Sequence, residues 1–209
     1  MAAHDKGSGD SAPVRIFLAS SNPAKLREYR QMAAGSLELS LIPKFNEQPA
    51  FDESAPTFAE NSAGKALHYS RFTPELIMAD DSGLVVPALG GAPGVLSARY
   101  AGPAANDTDR VRKLLGEMEE KEDEERGAEF VCVTTLARNG RILAVISDSA
   151  DGTIAREPRG ADGFGYDPVF FSRELGCTFA EASQEEKNLH SHRGKAFRKV
   201  MEYLARAIP

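Results

Sequence analysis

The sequence predicts an α/β fold built on a mixed β-sheet. Near its start, the apolar run Val14–Ala19 leads into Asn22 and Pro23, which indicates a strand, a turn and the beginning of a helix. Further on, Asn139-Gly140 separates two β-rich runs, and this dipeptide is typical of a hairpin between antiparallel strands. Together with the helices described below, these signals predict a sheet with helices packed against it.

Composition favours a single domain and excludes some classes of protein. The chain has 209 residues, of which 42% are hydrophobic, and this is enough for one large core. A net charge of -6 argues against binding to nucleic acid, and no apolar run is long enough to span a membrane. Two cysteines without disulfide or metal-binding spacing fit the reducing cytoplasm. We expect a disordered tail over residues 1–13 and one domain over residues 14–209.

The first strand-to-helix turn, Ser20-Ser21-Asn22-Pro23-Ala24-Lys25, is a candidate phosphate site. With Asn22 at the N-cap, backbone N–H groups and the positive end of the helix dipole face outward. Lys25 adds a full positive charge one turn into the helix. The alternative is a plain helix start without a ligand.

A second strand is expected at Leu37–Ile42, followed by a second helix. Thr57 and Glu60 have capping-box spacing, so this helix should run to about residue 70. Asn61 and Lys65 lie four residues apart and therefore share one face. That face suits a polyphosphate, or it is an ordinary solvated surface.

Two adjacent acids, Asp80 and Asp81, follow the apolar run Leu76–Ala79. We expect them at the end of a strand, with Ser82-Gly83 turning the chain before a further strand at Leu84–Leu89. Adjacent carboxylates repel each other unless a cation lies between them, and a divalent metal is the usual cation. The alternative is an ordinary turn.

Several weaker signals complete the pattern. Asp107 is expected to cap a helix that extends into the charged run Glu117–Arg126, and Asp151-Gly152 is expected to form a turn. The glycine-rich loop Pro158–Asp167 carries Phe164, whose ring either stacks on a flat ligand or is tucked under the loop.

A basic segment near the end of the chain completes a possible polyphosphate site. A capping box at Ser183 and Glu186 precedes Lys187, His192 and Arg193, and for His192 a donor role is favoured over metal ligation. The acids Glu53, Asp80 and Asp81 could hold Mg²⁺, which takes few carboxylates and bridges phosphates. There is no Walker-type motif, so a P-loop enzyme is excluded.

Six motifs occur in a fixed order. They are Ser20-Ser21-Asn22-Pro23-Ala24-Lys25, Thr57-Phe58-Ala59-Glu60-Asn61, Asp80-Asp81-Ser82-Gly83-Leu84, Leu89-Gly90-Gly91-Ala92-Pro93-Gly94 with Ser97-Ala98-Arg99-Tyr100, Gly163-Phe164-Gly165-Tyr166-Asp167-Pro168, and Glu186-Lys187-Asn188 with Ser191-His192-Arg193. On these motifs the chain resembles the inosine triphosphate pyrophosphatase family, also called the non-canonical purine NTP pyrophosphatases.

The resemblance implies a Mg²⁺-dependent hydrolase that converts ITP, dITP and XTP to the monophosphate and pyrophosphate. It also implies a homodimer and an elongated mixed sheet with two lobes flanking an active-site cleft. Asp81 would be the proton acceptor and a metal ligand, Glu53 a second ligand and Asp80 a possible third. The implied phosphate-binding residues are Ser20, Ser21, Asn22, Pro23, Ala24, Lys25 and Lys65, and the implied nucleoside-binding residues are Ser82, Phe164, Gly165, Tyr166, Asp167, Lys187, His192 and Arg193.

Elementary chemistry agrees with these roles. A carboxylate can take a proton from water that attacks the α-phosphorus, while lysines neutralise the leaving pyrophosphate. Donors at His192 and Arg193 would bond a 6-oxo group and leave a 6-amino group unpaired. Two alternatives remain: a nucleotide-binding protein without turnover, and a pyrophosphatase for modified pyrimidine nucleotides, which would require a smaller pocket.

Overall fold

The computed structural model describes residues 15–33, 35 and 37–207. Within these residues one sheet has seven strands: β1 (Arg15–Leu18), β2 (Glu38–Leu41), β3 (Leu76–Val85), β4 (Gly127–Arg138), β5 (Arg141–Ile154), β6 (Phe170–Ser172) and β7 (Cys177–Thr178). Their order across the sheet is β2-β1-β3-β4-β5-β6-β7. β1 pairs in parallel with β2 and β3, and the remaining neighbours pair antiparallel, so the predicted mixed sheet is confirmed.

Helices cover both faces of the parallel part of the sheet. The described residues form α1 (Pro23–Ala33), α2 (Phe58–Tyr69), α3 (Asp107–Glu117), α4 (Gln184–His190) and α5 (His192–Ala207). α1 and α5 bury Tyr29 and Phe197 against one face, with Leu18 and Met78 of the sheet. α2 buries Ala66 against the opposite face, next to Ile77. This layering confirms the predicted α/β class.

The apolar core is divided between the two ends of the long strands. Leu76 to Ala79 of β3 belong to the clusters beneath α1, α5 and α2. Leu84 at the other end of β3 packs in a separate cluster with Phe170, Phe179 and Leu114 of α3. The polar residues 80–83 of β3 lie between these clusters, at the position where the predicted cleft between two lobes would open.

Strand β3 corrects the prediction for the two acids. Asp80 and Asp81 do not end a strand, and Ser82-Gly83 is not a turn, because β3 pairs without interruption with β4 from Ile77 to Val85. Backbone pairing with a distant strand therefore outweighs the local turn preference of Asp, Ser and Gly. The predicted strand at 84–89 is also wrong beyond Val85, since Pro87–Leu89 forms a 3₁₀ turn.

Two other local predictions are wrong and two are confirmed. Asp151-Gly152 lies inside β5 instead of in a turn, paired with β4. The N-cap of α3 is Asn106 instead of Asp107, and this helix ends at Glu117, before most of the charged run. The hairpin is confirmed, since Asn139 and Gly140 join β4 to β5 with φ angles of 52° and 72°. The capping box of Ser183 is also confirmed.

Some predictions fall outside what the structure describes. The tail over residues 1–13 and the domain boundaries at residues 14 and 209 lie outside the described residues. Among the helices of the described ranges, none has the length and apolar character that a bilayer span requires.

Candidate active site

A cleft of about 470 Å³ opens between the end of β1, the middle of β3 and the start of α5. It brings together most of the sequence-predicted site residues, although these are far apart in the chain. The predicted residues that line it are Ser20, Ser21, Asn22, Lys25, Glu53, Lys65, Asp81, Ser82, Phe164, Gly165, Tyr166, Asp167, His192 and Arg193. The predicted residues Pro23, Ala24, Asp80 and Lys187 do not line it.

The turn after β1 is fixed by its own side chains. Asn22 Oδ1 accepts hydrogen bonds from the backbone N–H groups of Ala24 at 2.9 Å and Lys25 at 3.4 Å, as expected for an N-cap. Ser20 Oγ accepts from the Asn22 N–H at 3.2 Å. This turn therefore presents the N-terminus of α1 and the Lys25 ammonium to the cleft.

The two adjacent acids point to opposite faces of the sheet, because successive side chains alternate along a strand. Asp80 faces α1 and α5, where its Oδ2 lies 2.7 Å from Lys25 Nζ and 3.8 Å from Arg193 Nε. Asp81 lines the cleft, and its Oδ1 accepts the Ser82 N–H at 3.0 Å. The pair is therefore not a double ligand with a cation between the two carboxylates.

Their pKa values move in opposite directions. Burial raises the pKa of Asp81, and Lys25 and Lys65 oppose this only in part. Burial also acts to raise the pKa of Asp80, but Lys25, Arg193 and Lys65 together hold it below its ordinary value. Asp80 is therefore a fixed negative charge beneath the cleft, whereas Asp81 takes up a proton more readily than an ordinary aspartate.

The residues around Asp81 fit a divalent metal shared with a phosphate. Asp81 Oδ2 is buried and has no hydrogen-bond partner among the described residues, which leaves an oxygen available to a ligand. Glu53 also lines the cleft, and its Oε1 is 3.0 Å from Lys65 Nζ. The described residues contain no group of three or more metal-binding side chains. Mg²⁺ is commonly held by only one or two carboxylates plus phosphate oxygens, so Asp81 and Glu53 suit it.

Helix α2 directs polar groups inward. Asn61 is 1% and Lys65 6% exposed, so this face is buried and is not the solvated surface considered from the sequence. The Asn61 amide holds the backbone of Ala55 through two hydrogen bonds, of 3.0 and 3.2 Å. This places the end of the Glu53 loop against the helix that carries Lys65.

The other end of the cleft rests on a buried charge network. Lys187 Nζ lies 2.6 Å from both Glu28 Oε1 and Asp167 Oδ2, and Arg193 Nη1 lies 2.6 Å from Glu28 Oε2. All four residues are at most 4% exposed. Burial acts to raise the pKa of Glu28, but Arg193 and Lys187 bring it below the ordinary value. Burial raises the pKa of Asp167 above its ordinary value. Lys187, its main cationic neighbour, offsets this only in part.

This network supports the aromatic loop. The Phe164 ring centroid lies 4.8 Å from Lys187 Nζ and 5.3 Å from Arg193 Cζ, both within cation–π range. Asp167 Oδ2 accepts the Phe164 N–H at 2.7 Å, and it comes so close to Gly163 that a Cβ there would lie 2.2 Å away. Because φ of Gly163 is also +78°, this position requires glycine. The Phe164 ring is therefore held at the cleft wall over two cations.

His192 stacks on an aromatic ring and is uncharged. Its imidazole lies parallel to Phe130, with ring centroids 4.6 Å apart and an interplanar angle of 7°. Burial first, and then the charges of Arg193 and Lys187, hold the pKa of His192 well below its usual range. A neutral imidazole offers one donor and one acceptor, so His192 can take part in directed hydrogen bonding to a base. Arg193 adds a second donor and bonds Ser82 Oγ through Nη2 at 3.1 Å.

Sequence reasoning missed several residues of this site. Glu28 lies three residues after Lys25, and this same-face spacing on α1 is the signal that could have found it. Ser97 lies in a motif that the sequence identified without assigning this residue a role; it joins the cleft wall to β3, because its Oγ accepts the Leu84 N–H at 2.9 Å and donates to Gly94 O at 2.7 Å. No local signal marks Phe130, which meets His192 only in the folded sheet.

The chain matches a known protein family along nearly its whole length. The model of the Ham1 family matches residues 16–203. A dITP/XTP pyrophosphatase of Geobacillus kaustophilus is 47% identical over 188 residues, which cover 90% of this chain and 92% of that protein. One from Gloeobacter violaceus is 45% identical over 193 residues, covering 91% and 94%.

Solved structures share the fold along nearly the whole chain. A HAM1 protein from Coxiella burnetii superposes with a TM-score of 0.82 at 41% identity, and the superposition covers 93% of this chain and 100% of that protein. The Ham1 protein of Staphylococcus aureus superposes with a TM-score of 0.81 at 33% identity, covering 91% and 98%. By sequence and by fold, the chain belongs to the Ham1 family.

Proposed function

We propose that this protein is a dITP/XTP pyrophosphatase, which hydrolyses ITP, dITP and XTP to the monophosphate and pyrophosphate. The single observation that carries the proposal is the position of Asp81. Asp81 lines the cleft together with Lys25, Lys65 and Phe164, and its buried Oδ2 has no hydrogen-bond partner among the described residues. The relatives that carry this activity in their names cover at least nine-tenths of the chain and support the same conclusion.

On the base side, a flat purine stacks on Phe164 and meets His192 and Arg193 at its edge. A 6-oxo group accepts hydrogen bonds from these donors, whereas a 6-amino group would leave a buried donor unpaired. Glu28 and Asp80 neutralise the Arg193 charge, so the guanidinium is held in place without a substrate. The preference for 6-oxopurines then follows from unpaired polar groups, which discriminate strongly.

On the phosphate side, the N-terminus of α1, Lys25 and Lys65 bind the polyphosphate. Asp81 accepts the proton of the water that attacks the α-phosphorus, and the Lys65 ammonium compensates the charge of the leaving pyrophosphate. When bound by Glu53 and Asp81, Mg²⁺ would supply Lewis-acid neutralisation of phosphate oxygens. Asp80 does not reach the cleft and pairs with Lys25, so we assign it to positioning that lysine and not to metal binding.

Three further features belong to this proposal on the strength of the family resemblance. We propose a homodimer, a cytoplasmic location and Mg²⁺ as the working metal. The net charge of -6 agrees with a small-molecule substrate. The proposal includes no nucleic-acid or membrane partner, because an acidic chain does not favour binding to polyanions.

The direct experiment is a substrate panel. The protein is incubated with ITP, XTP, dITP, ATP, GTP and dUTP, with and without Mg²⁺, and pyrophosphate and phosphate are measured separately. We expect pyrophosphate from the first three, and only with metal. GTP also carries a 6-oxo group, so its rate measures discrimination at the 2-position, whereas ATP tests the 6-position. Equal rates on ATP and ITP would contradict the base selectivity, release of phosphate would contradict attack at the α-phosphorus, and no turnover of any nucleotide would leave a binding protein. Preference for dUTP would favour the pyrimidine alternative.

Asp81→Asn tests the proton acceptor. An amide cannot accept the proton of water, so we expect the turnover of ITP to fall by at least about 100-fold, in line with general base catalysis. Binding of ITP should remain measurable by calorimetry. Asp52→Asn is the matched control, because Asp52 is exposed and, among the described residues, its side chain bonds only Ser54 in the same loop region. An active Asp81→Asn enzyme would remove Asp81 from this role.

A further inference from the structure

The cleft continues beyond the residues assigned to the phosphates. Past Glu53 and Lys65 its lining changes to Phe45, Asn46, Gln48, Phe51 and Tyr69, here called the aromatic end. The rings of Phe45 and Tyr69 are in contact, with centroids 4.9 Å apart. These five side chains are uncharged, so this part of the lining does not have the chemistry of a phosphate site.

Helix α2 sets the distance between the phosphate residues and the aromatic end. Lys65 and Tyr69 are four residues apart on this helix, so their Cα atoms are separated by about 6 Å along its axis. Both side chains line the cleft. A group attached to a terminal phosphate at Lys65 would therefore lie within reach of the aromatic end.

Packing and hydrogen bonds hold the aromatic end in place. The tip of the Phe51 ring comes so close to Gly64 that a Cβ there would lie 2.5 Å from Phe51 Cζ, so glycine beside Lys65 makes the room for this ring. His68 Nε2 is 2.7 Å from the carbonyl oxygen of Pro49 and holds the start of the loop that carries Phe51. Arg99, which also lines the cleft, donates to the Glu53 carbonyl at 2.7 Å and holds the end of the same loop.

The polar groups of this region remain available. Phe45 and Phe51 are partly exposed to the cleft, and the side-chain amides of Asn46 and Gln48 make no hydrogen bond within the part of the chain that the structure describes. Aromatic faces next to free amides match a planar ring with polar edges, which stacks and hydrogen-bonds at once. A terminal phosphate alone would bond the amides but leave the aromatic faces without a contact.

We propose that the aromatic end is a subsite for an aromatic group esterified to the terminal phosphate of the nucleotide. The substrate range would then include 6-oxopurine nucleotides whose γ-phosphate carries an aryl ester. The inference rests on the proposed function and extends it to a further class of substrate.

The reaction is the same hydrolysis with a larger leaving group. The oxygen of water bonds to the α-phosphorus, and the bond from this phosphorus to the bridging oxygen of the β-phosphate breaks. The proton of water goes to Asp81, and the diphosphate ester leaves. The γ-phenyl ester of ITP thus gives IMP and phenyl diphosphate, and no oxidant, reductant or other co-reactant is needed.

The test compares ITP with its γ-phenyl and γ-methyl esters, with IMP release followed by chromatography. Both esters lose the same phosphate charge, so their difference reports the ring alone. Since an aromatic contact contributes about two- to tenfold in affinity, we expect kcat/KM for the phenyl ester to exceed that for the methyl ester by about that factor. The difference should appear in KM.

Variants locate the effect. In Phe51→Leu the ratio of phenyl to methyl ester should fall towards one, because the substitution keeps an apolar side chain and removes the aromatic face. Phe72→Leu is the matched control, since Phe72 packs on His68 and Tyr69 but is 41% exposed and outside the cleft. Its ratio should equal that of the wild type.

The outcomes separate this inference from the proposed function. Turnover of ITP with equal or poorer use of the phenyl ester than the methyl ester would overturn the subsite and leave the proposed function standing. A phenyl preference that survives in Phe51→Leu would place the ring elsewhere and also overturn it. No turnover of ITP itself would be a failure of the proposed function.

Discussion

Replacing Glu28 with glutamine tests the buried network that supports the base side of the cleft. Glutamine has nearly the same shape, but it removes the negative charge that faces both Lys187 and Arg193 at 2.6 Å. Since Glu28 is only 4% exposed, water cannot take the place of the carboxylate. The variant therefore leaves Asp80 and Asp167 as the acidic partners of these two cations.

The expected loss of stability is large for a single atom change. Removing one partner of a buried ion pair destabilises a protein by about 3–5 kcal/mol, and the remaining amide oxygen keeps part of one hydrogen bond. We therefore expect about 3 kcal/mol, which corresponds to a decrease in Tm of about 6–12 °C for a chain of this size. With Lys187 and Arg193 less firmly held, the preference for ITP over ATP in kcat/KM should also decrease.

The sign of the pH dependence is fixed by the pKa of Glu28. This pKa is lowered in the folded state by Arg193 and Lys187, against the opposing effect of burial. The stabilisation is therefore complete above the ordinary glutamate pKa of 4.5 and is lost as the pH falls below it. The difference between wild type and Glu28→Gln should be constant near pH 7 and shrink below about pH 4.5.

Urea unfolding followed by circular dichroism measures this difference. Glu38→Gln is the matched control, because Glu38 pairs with Arg15 at 3.0 Å but both side chains are half exposed. An exposed pair of this kind contributes less than about 1 kcal/mol. If the two variants unfold at the same urea concentration, the buried network does not hold the base side of the cleft.

Two further predictions use other parts of the site. In His192→Phe, which keeps the stacking and removes the titrating group, stability should fall less between pH 7.5 and 5.5 than in the wild type. Burial and neighbouring cations depress the pKa of His192, so below pH 6.5 only the unfolded chain gains this proton. The stability of the wild type then falls by up to about 1.4 kcal/mol per pH unit. Equal losses of stability in both proteins, measured by urea unfolding, would refute the prediction. In Gly83→Ala, the new Cβ would lie 2.4 Å from both Gly94 O and Ser97 Oγ, so we expect about 1–3 kcal/mol of destabilisation and slower ITP turnover. Gly116→Ala, with open space around its Cβ, is the control and should be neutral or stabilising in thermal unfolding; matching melting temperatures for the two variants would refute the close contact.

Local hydrogen bonding made several features predictable from the sequence. The cap at Asn22, the capping box at Ser183 and the hairpin at Asn139-Gly140 each depend on contacts between residues at most three positions apart. Their energies are present in any short segment with these residues, so no knowledge of the rest of the chain is needed. Candidate site residues could be named because they lie in such segments or in recognisable motifs.

The tertiary structure decided how these segments face each other. Asp80 and Asp81 looked like a repelling pair at a strand end, but pairing of β3 with β4 carries the strand through them and separates them onto opposite faces. Glu28 meets Lys187 across 159 sequence positions, and His192 meets Phe130 only when α5 packs on the sheet. Contacts of this kind leave no local pattern, because strand pairing and burial depend on residues distant in the chain. The sequence alone thus determined which groups are available for chemistry, and only the fold decided which carboxylate lines the cleft and which is held by cations beneath it.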